Sequence, residues 1–195
     1  DRTTSQGEQR GAEPGLHRRQ RRREIVKDAC ARDGERQVQQ QHGPSGHAEQ
    51  ACAGKQIEKR PELDYGLVVS NMHTLDRFGS SIEEIRKQGY KIDAVVHNTL
   101  DGYNRLTMAK SLSIFMLQLP EILQGMKADF LLVGGDRGEQ LVAAIVGAHL
   151  YLPVGHIQAG EVSGNIDGIT RHAISKFAHL HFASNDDAAQ RLIKM

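Results

Sequence analysis

From Pro61 onward, short apolar runs alternate with longer stretches whose apolar residues recur every three or four positions. The runs at 67–69, 92–96, 129–133, 153–157 and 180–183 have the length and composition of buried strands. Between them the spacing predicts helices over 80–88, 106–126, 141–150, 166–177 and 186–194. Gly89 is placed to end the first of these, and Pro120 to kink or split the second. The stretch 141–150 is apolar nearly all round, as expected of a helix buried against a sheet. Strands and helices alternating at this interval predict an α/β class with right-handed crossovers and a doubly wound parallel sheet.

Before residue 61 the pattern stops. All nine aromatic residues lie after residue 60, and the large aliphatics before it are Leu16, Ile25, Val26, Val38 and Ile57. A segment this poor in apolar side chains cannot offset a backbone ordering cost of about 1–2 kcal/mol per residue. Residues 1–60 are therefore read as a disordered Arg/Gln-rich tail, and 61–195 as the folded domain. The run Arg18-Arg19-Gln20-Arg21-Arg22-Arg23 admits two readings, a nucleic-acid or import patch and a solvated tail. No aromatic residue interleaves with the arginines to stack on a base, so nucleic acid is not the expected partner.

Charge and cysteine usage narrow the class. Lys and Arg number 25 and Asp and Glu 24, a net charge of +1. No global field recruits nucleic acid or an anionic membrane. The apolar stretch 141–157 is interrupted by His149, Pro153 and His156 and falls short of the roughly 20 residues that span a bilayer. Two cysteines make no disulfide framework, which fits a reducing, cytoplasmic compartment.

In open parallel sheets ligands bind beyond the carboxyl ends of the strands, so the polar residues there are the candidates. The first such end is Ser70-Asn71-Met72-His73, the second Gly134-Gly135-Asp136-Arg137-Gly138. The third starts at His156, runs through Gln158, Gly160 and Glu161, and continues past Asp167 to Arg171 and His172. The spacing around Gly134 is not GxGxxG, and no GxxxxGK[ST] loop occurs. Arg137 at a helix start offers an anion site, with an Asp136 N-cap beside an exposed Arg as the plain alternative. Asp167 and Arg171, four residues apart, share a helix face where they either pair or place a carboxylate at the cleft mouth. His179 and His181 alternate on a strand without a third ligand at fixed spacing, and ordinary strand histidines are the expected reading.

The stretch His156-Ile157-Gln158-Ala159-Gly160-Glu161-Val162-Ser163-Gly164-Asn165-Ile166-Asp167, continuing into Thr170-Arg171-His172-Ala173-Ile174-Ser175-Lys176, resembles the hydrolysing UDP-N-acetylglucosamine 2-epimerases. Gly135-Asp136-Arg137 after an apolar strand, and Asn71-Met72-His73 leading to Arg77-Phe78-Gly79, carry the same resemblance. It implies the N-terminal, Rossmann-like half of a glycosyltransferase-B-like fold. It also implies release of UDP with inversion at carbon 2 of the sugar, giving N-acetylmannosamine for sialic acid synthesis. Relatives of that family act on UDP-diacetamido-trideoxy sugars. By the same resemblance Asp136, Asp167, Glu161 and Gln158 are catalytic candidates. Arg137, His73, Gly135, His156, Arg171 and His172 are substrate-binding candidates. The partner is a UDP-sugar, no metal or organic cofactor is implied, and the full-length family forms homo-oligomers. Gln158 stands where the family usually has Glu, and an amide has no titratable oxygen. The family's opening strand with a Gly-Thr-Arg loop has no counterpart in residues 1–60, whose composition reads as a wrongly assigned start of translation. The expectation is a fragment without the second domain and with at most residual activity, or a catalytically dead nucleotide-sugar-binding module.

Overall fold

A computed structural model describes residues 56–57, 59–75, 81–102 and 104–195. The reading of 1–60 as a tail lies almost wholly outside them, and so do Arg77, Phe78 and Gly79 of the resemblance. Among the described residues, five strands and five helices follow in chain order. β1 (Val68–Ser70) runs into a 3-10 turn, Asn71–Thr74, and then α1 (Ser81–Lys87). β2 (Ala94–Val96) leads to α2 (Arg105–Gly125), and β3 (Leu131–Gly134) to α3 (Gly138–His149). β4 (Val154–Ile157) precedes α4 (Ile166–Phe177), and β5 (Leu180–Phe182) precedes α5 (Asp186–Ile193). Every strand pairing is parallel. The strands fall into two hydrogen-bonded groups, β1-β2 and β3-β4-β5, where one continuous sheet was expected.

The core explains the order. Val96, Val133 and Val154 from three strands meet Phe115, Leu119 and Leu123 of α2, Val142, Ala144 and Val146 of α3, and Ile174 of α4. α3 packs against both α2 and α4, so these three helices form one layer over the strands. Gly147 is needed there, because a Cβ at that position would stand 2.8 Å from Val154 Cγ2 and 2.9 Å from Leu131 Cδ2.

Three expectations are corrected. Pro120, expected to kink or split α2, does not split it, and the helix runs unbroken through it. An interior proline forfeits one ladder bond, and the buried stripe Phe115, Leu119, Leu123 fastens the helix on both sides of the gap. Asn104 starts this helix with a reciprocal cap, its Oδ1 accepting from the Thr107 amide at 2.9 Å. The second correction concerns Asp136, which is not an N-cap: Arg137 holds the cap position of α3 and makes no side-chain cap bond. Thirdly, α2, rather than 141–157, is the one helix among the described residues long and apolar enough to cross a membrane. It is seated in the core by Leu119, only 2% exposed, while Leu117 on its other side is 80% exposed.

Candidate active site

The carboxyl ends of β3 and β4 converge on one buried guanidinium. Arg171, 6% exposed on the second turn of α4, donates from Nη1 to the Gln158 carbonyl at 2.8 Å and to Glu161 Oε2 at 2.9 Å. Its Nη2 donates to Asp136 Oδ2. The Ser163 hydroxyl reaches that same Asp136 oxygen at 3.4 Å. Thus Arg171 pairs with Asp136 and Glu161 and not with Asp167. The Asp167 carboxylate instead accepts from Asn165 Nδ2 at 2.8 Å, while Asn165 caps α4 by accepting the Asp167 amide at 3.1 Å. One turn of helix separates Asp167 from Arg171, which keeps it on the face of α4 that carries the guanidinium.

Backbone geometry shapes the two strand ends. Gly135 lies at φ +84°, a region glycine enters without a Cβ clash. Its N–H donates to the Ile157 carbonyl at 3.2 Å, which ties the turn after β3 to the end of β4. Gln158 occupies the left-handed region at φ +61°, and Asn71 does so at φ +56°. Left-handed backbone at residues other than glycine costs free energy and gathers at functional sites. Here both residues stand immediately after a strand.

His156 lies behind this turn, fully buried. A carbonyl oxygen only accepts, so the contact of Nε2 with the Gly135 carbonyl at 2.8 Å requires the proton on Nε2. Nδ1 is then the acceptor for the Ser175 hydroxyl at 3.1 Å. Burial, reinforced by the positive charge of Arg171, pushes the His156 pKa down to about 4. Both ring nitrogens are engaged within the protein, and Nε2 ties His156 to the Gly135 turn.

The remaining candidates form a second group. Arg137 Nε lies 3.8 Å from Glu139 Oε2 in the first turn of α3. Glu139 also accepts from Asn71 Nδ2, which links the ends of β3 and β1. Asn71 donates its N–H to the side-chain oxygen of the fully buried Asn98 at 2.8 Å, and Thr99 Oγ1 donates to Asn71 Oδ1 at 2.8 Å. His73 lies in the 3-10 turn after β1, and His172 is half-buried on α4 beside Arg171. His179 and His181 bond to backbone: Nδ1 of the first accepts the Val154 N–H at 3.2 Å, and Nε2 of the second meets the Ser175 carbonyl at 2.9 Å. Glu139 was not singled out from the sequence. A Glu two residues after the turn arginine, at a helix start, is the signal that would have found it.

A parallel α/β domain whose strand ends gather acidic groups around an arginine is a Rossmann-class ligand-binding fold. The comparisons make the class specific. This chain belongs to the UDP-N-acetylglucosamine 2-epimerase family, which matches residues 55–195. It is 36% identical over 141 residues to the UDP-N,N'-diacetylbacillosamine 2-epimerase (hydrolyzing) of Legionella pneumophila, covering 72% of this chain and 37% of that protein. It is 32% identical over 139 residues to the UDP-N-acetylglucosamine 2-epimerase of Neisseria meningitidis serogroup B, covering 71% and 36%. The S. aureus MnaA–UDP co-structure superposes with a TM-score of 0.57 at 26% identity, over 72% of this chain and 36% of that one. The chain thus spans little more than a third of the length of these relatives. The matched stretch lies in the N-terminal, Rossmann-like half of a glycosyltransferase-B-like fold.

Proposed function

We propose that these residues form the elimination centre of a hydrolysing UDP-N-acetylglucosamine 2-epimerase, which releases UDP and N-acetylmannosamine. The observation that carries this reading is the single Arg171 guanidinium holding the carboxylates of Asp136 and Glu161 together at two adjacent strand ends. The proton on carbon 2 of the sugar is not next to a carbonyl and is poorly acidic. As the anomeric C–O bond breaks, its electron pair departs on UDP, and the oxocarbenium character left behind acidifies carbon 2. A carboxylate takes that proton and a glycal forms. Water then adds its hydroxyl to carbon 1, and a proton returns to carbon 2 from the opposite face. One UDP-sugar and one water become one free sugar and UDP.

In this reading Asp136, Glu161 and Asp167 handle the proton. Gln158, lacking a titratable oxygen, hydrogen-bonds the sugar. Arg137 and the N–H groups opening α3 take the diphosphate as it leaves, the charge on which the barrier depends most. Gly135 lets the diphosphate approach the backbone, and His73 and His172 complete the substrate contacts.

A second reading, a UDP-2,4-diacetamido-2,4,6-trideoxyhexose as substrate, is favoured by two observations. The Legionella relative carries the higher identity of the two enzymes compared. Val162, Ile166 and Ile169, beside Glu161 and Asp167, are 66–70% exposed and suit a 6-methyl group better than a hydroxymethyl.

The test is incubation of the chain with each UDP-sugar in D2O, reading UDP release and deuterium at carbon 2 of the product by NMR. The expected result is both signals together, each reduced about 100-fold or more in Asp136→Asn. Calorimetric binding of UDP without either signal selects a binding module in place of an enzyme. Neither binding nor turnover overturns the reading.

A further inference from the structure

The loop that leaves β4 is fastened at its start and looser beyond. Ala159, fully buried, donates its N–H to the Phe182 carbonyl at the end of β5 at 3.3 Å. Gly160, also buried, accepts at its carbonyl from Nη1 of Arg191, in the last turn of α5, at 3.0 Å. Its φ is +81°, and a Cβ there would stand 2.4 Å from the Ala188 carbonyl oxygen, so the loop lies directly on that helix. After Glu161 the support thins. Val162 is 66% exposed, and a Cβ at Gly164 would meet nothing within 4 Å. The Ser163 carbonyl oxygen does approach Gly168, 2.5 Å from where a Cβ would stand, but this is packing and not a hydrogen bond. The backbone that carries Glu161 is therefore held chiefly from the α5 side.

The contact of Arg191 is not the one its helix offers. Asp187 precedes it by four residues on α5, the spacing of an ordinary surface pair. The guanidinium reaches instead to a carbonyl 31 residues earlier in the chain. A buried carbonyl deprived of its donor is penalised until it moves to water. The residue after that carbonyl is Glu161, whose Oε2 meets Arg171 Nη1 at 2.9 Å, and Nη2 of the same guanidinium carries Asp136. Contacts thus run without a break from Arg191 through the 160–161 peptide to Arg171 and Asp136. Arg191 itself is exposed, so deleting its guanidinium empties no part of the core.

We propose that Arg191 is a positioning residue for Glu161, acting on the Arg171 cluster from outside the site. Without its guanidinium the Gly160 carbonyl turns towards solvent and carries the Glu161 backbone with it. Arg171 then keeps Asp136 and the Gln158 carbonyl but loses its second carboxylate. A proton acceptor displaced in this way slows the chemical step while the contacts that bind the nucleotide remain. That consequence for the reaction rests on the function proposed above; the coupling of Arg191 to Arg171 rests on the contacts alone.

The experiment compares Arg191→Met, which keeps the aliphatic stem, with Arg191→Lys, which keeps one donor for a contact that uses only one. Hydrogen exchange is followed by NMR on the isotope-labelled 195-residue chain, at backbone amides 161–163 and at the Arg171 side chain. Both should exchange about tenfold faster or more in Arg191→Met and at nearly the original rate in Arg191→Lys, with β3 and α3 unchanged. Arg171 should reach the rate it shows in Glu161→Met, and combining the two changes should add nothing, because both break one path. Faster exchange confined to α5 gives Arg191 a role in helix stability only and overturns the proposal. So does an unchanged Arg171 signal, additivity in the double variant, or a lysine variant no better than the methionine one. With a UDP-sugar in D2O, deuterium incorporation should fall about tenfold in Arg191→Met while calorimetric UDP affinity stays the same; unchanged incorporation in an active chain also overturns the proposal. A chain that turns over no UDP-sugar in any form counts against the proposed function, and the exchange measurements then decide Arg191 by themselves.

Discussion

Acidification should destabilise this domain through one side chain, His156. Its folded-state pKa of about 4 lies below the ordinary value of 6.5 because burial, with Arg171 nearby, disfavours the imidazolium. Between those two values the unfolded chain binds a proton on this ring and the folded chain does not. Stability therefore rises with pH through that window. The contribution is fully present above pH 6.5 and is lost as pH falls towards 4. At about 1.4 kcal/mol per pH unit, the whole window amounts to about 3 kcal/mol.

Urea unfolding followed by circular dichroism at half-unit steps from pH 7 to pH 4 measures it, with His156→Gln as the partner curve. Glutamine keeps an N–H for the Gly135 carbonyl but has no proton to gain. Contributions common to both proteins cancel in the comparison. The wild-type curve should fall about 3 kcal/mol further than that of the variant over this range, with the difference opening below pH 6.5. Parallel curves would refute the assignment of a buried neutral imidazole. A 15N spectrum should show the Nε2–H tautomer persisting at pH 5, since the Gly135 carbonyl can only accept.

Three further outcomes follow from the packing. Arg171→Met leaves the Asp136 and Glu161 carboxylates facing each other without their shared cation, and should cost about 3 kcal/mol at pH 7 in urea unfolding. Gly160→Ala places a Cβ 2.4 Å from the Ala188 carbonyl oxygen on a backbone at φ +81° and should lower stability by about 2 kcal/mol or more, whereas Gly164→Ala, with nothing within 4 Å, should change it by less than about 0.5 kcal/mol. Leu119→Ala should cost about 2–5 kcal/mol and Leu117→Ala almost nothing, measured as shifts in thermal midpoint. Equal effects at 117 and 119 would mean that α2 is not seated in the core by the stripe described.

The periodicity located the five strands and five helices but not the 3-10 turn, because burial imposes it: α4 occupies the residues expected, and β3 and β4 begin one or two residues later than their apolar runs. Strand-end reasoning also reached Asp136, Glu161 and Arg171. Their pairing was not legible. An i,i+4 carboxylate and arginine on one helix look like partners, yet Asn165 binds Asp167 locally and leaves Arg171 to groups 10 and 35 residues away. Side-chain partners across a fold depend on which rotamer the core permits, and spacing along one helix carries no record of that. His156 shows the same limit. A histidine at a strand end reads as a ligand contact, whereas the structure buries it behind the turn with both ring nitrogens bonded within the protein.

The loop that follows Gln158 brings a second carboxylate to Arg171. With φ at +61°, Gln158 turns the chain out of β4 so that its own carbonyl lies on Arg171 Nη1. Its amide oxygen lies over Gly135, 3.7 Å from where a Cβ there would stand. Three residues later the chain returns, and Glu161 reaches that same Nη1. The peptide between them is fixed by Gly160, whose carbonyl accepts from Arg191 of α5 at 3.0 Å and whose lack of a Cβ lets α5 approach. A carboxylate at 161 is therefore held on the guanidinium shared with Asp136, while a side chain at 158 is directed to the glycine turn. Substituting an amide at 158 costs this cluster no negative charge. The second carboxylate on Arg171, beside Asp136, comes from the far end of the loop, and α5 fixes that loop through Arg191 and the Gly160 carbonyl.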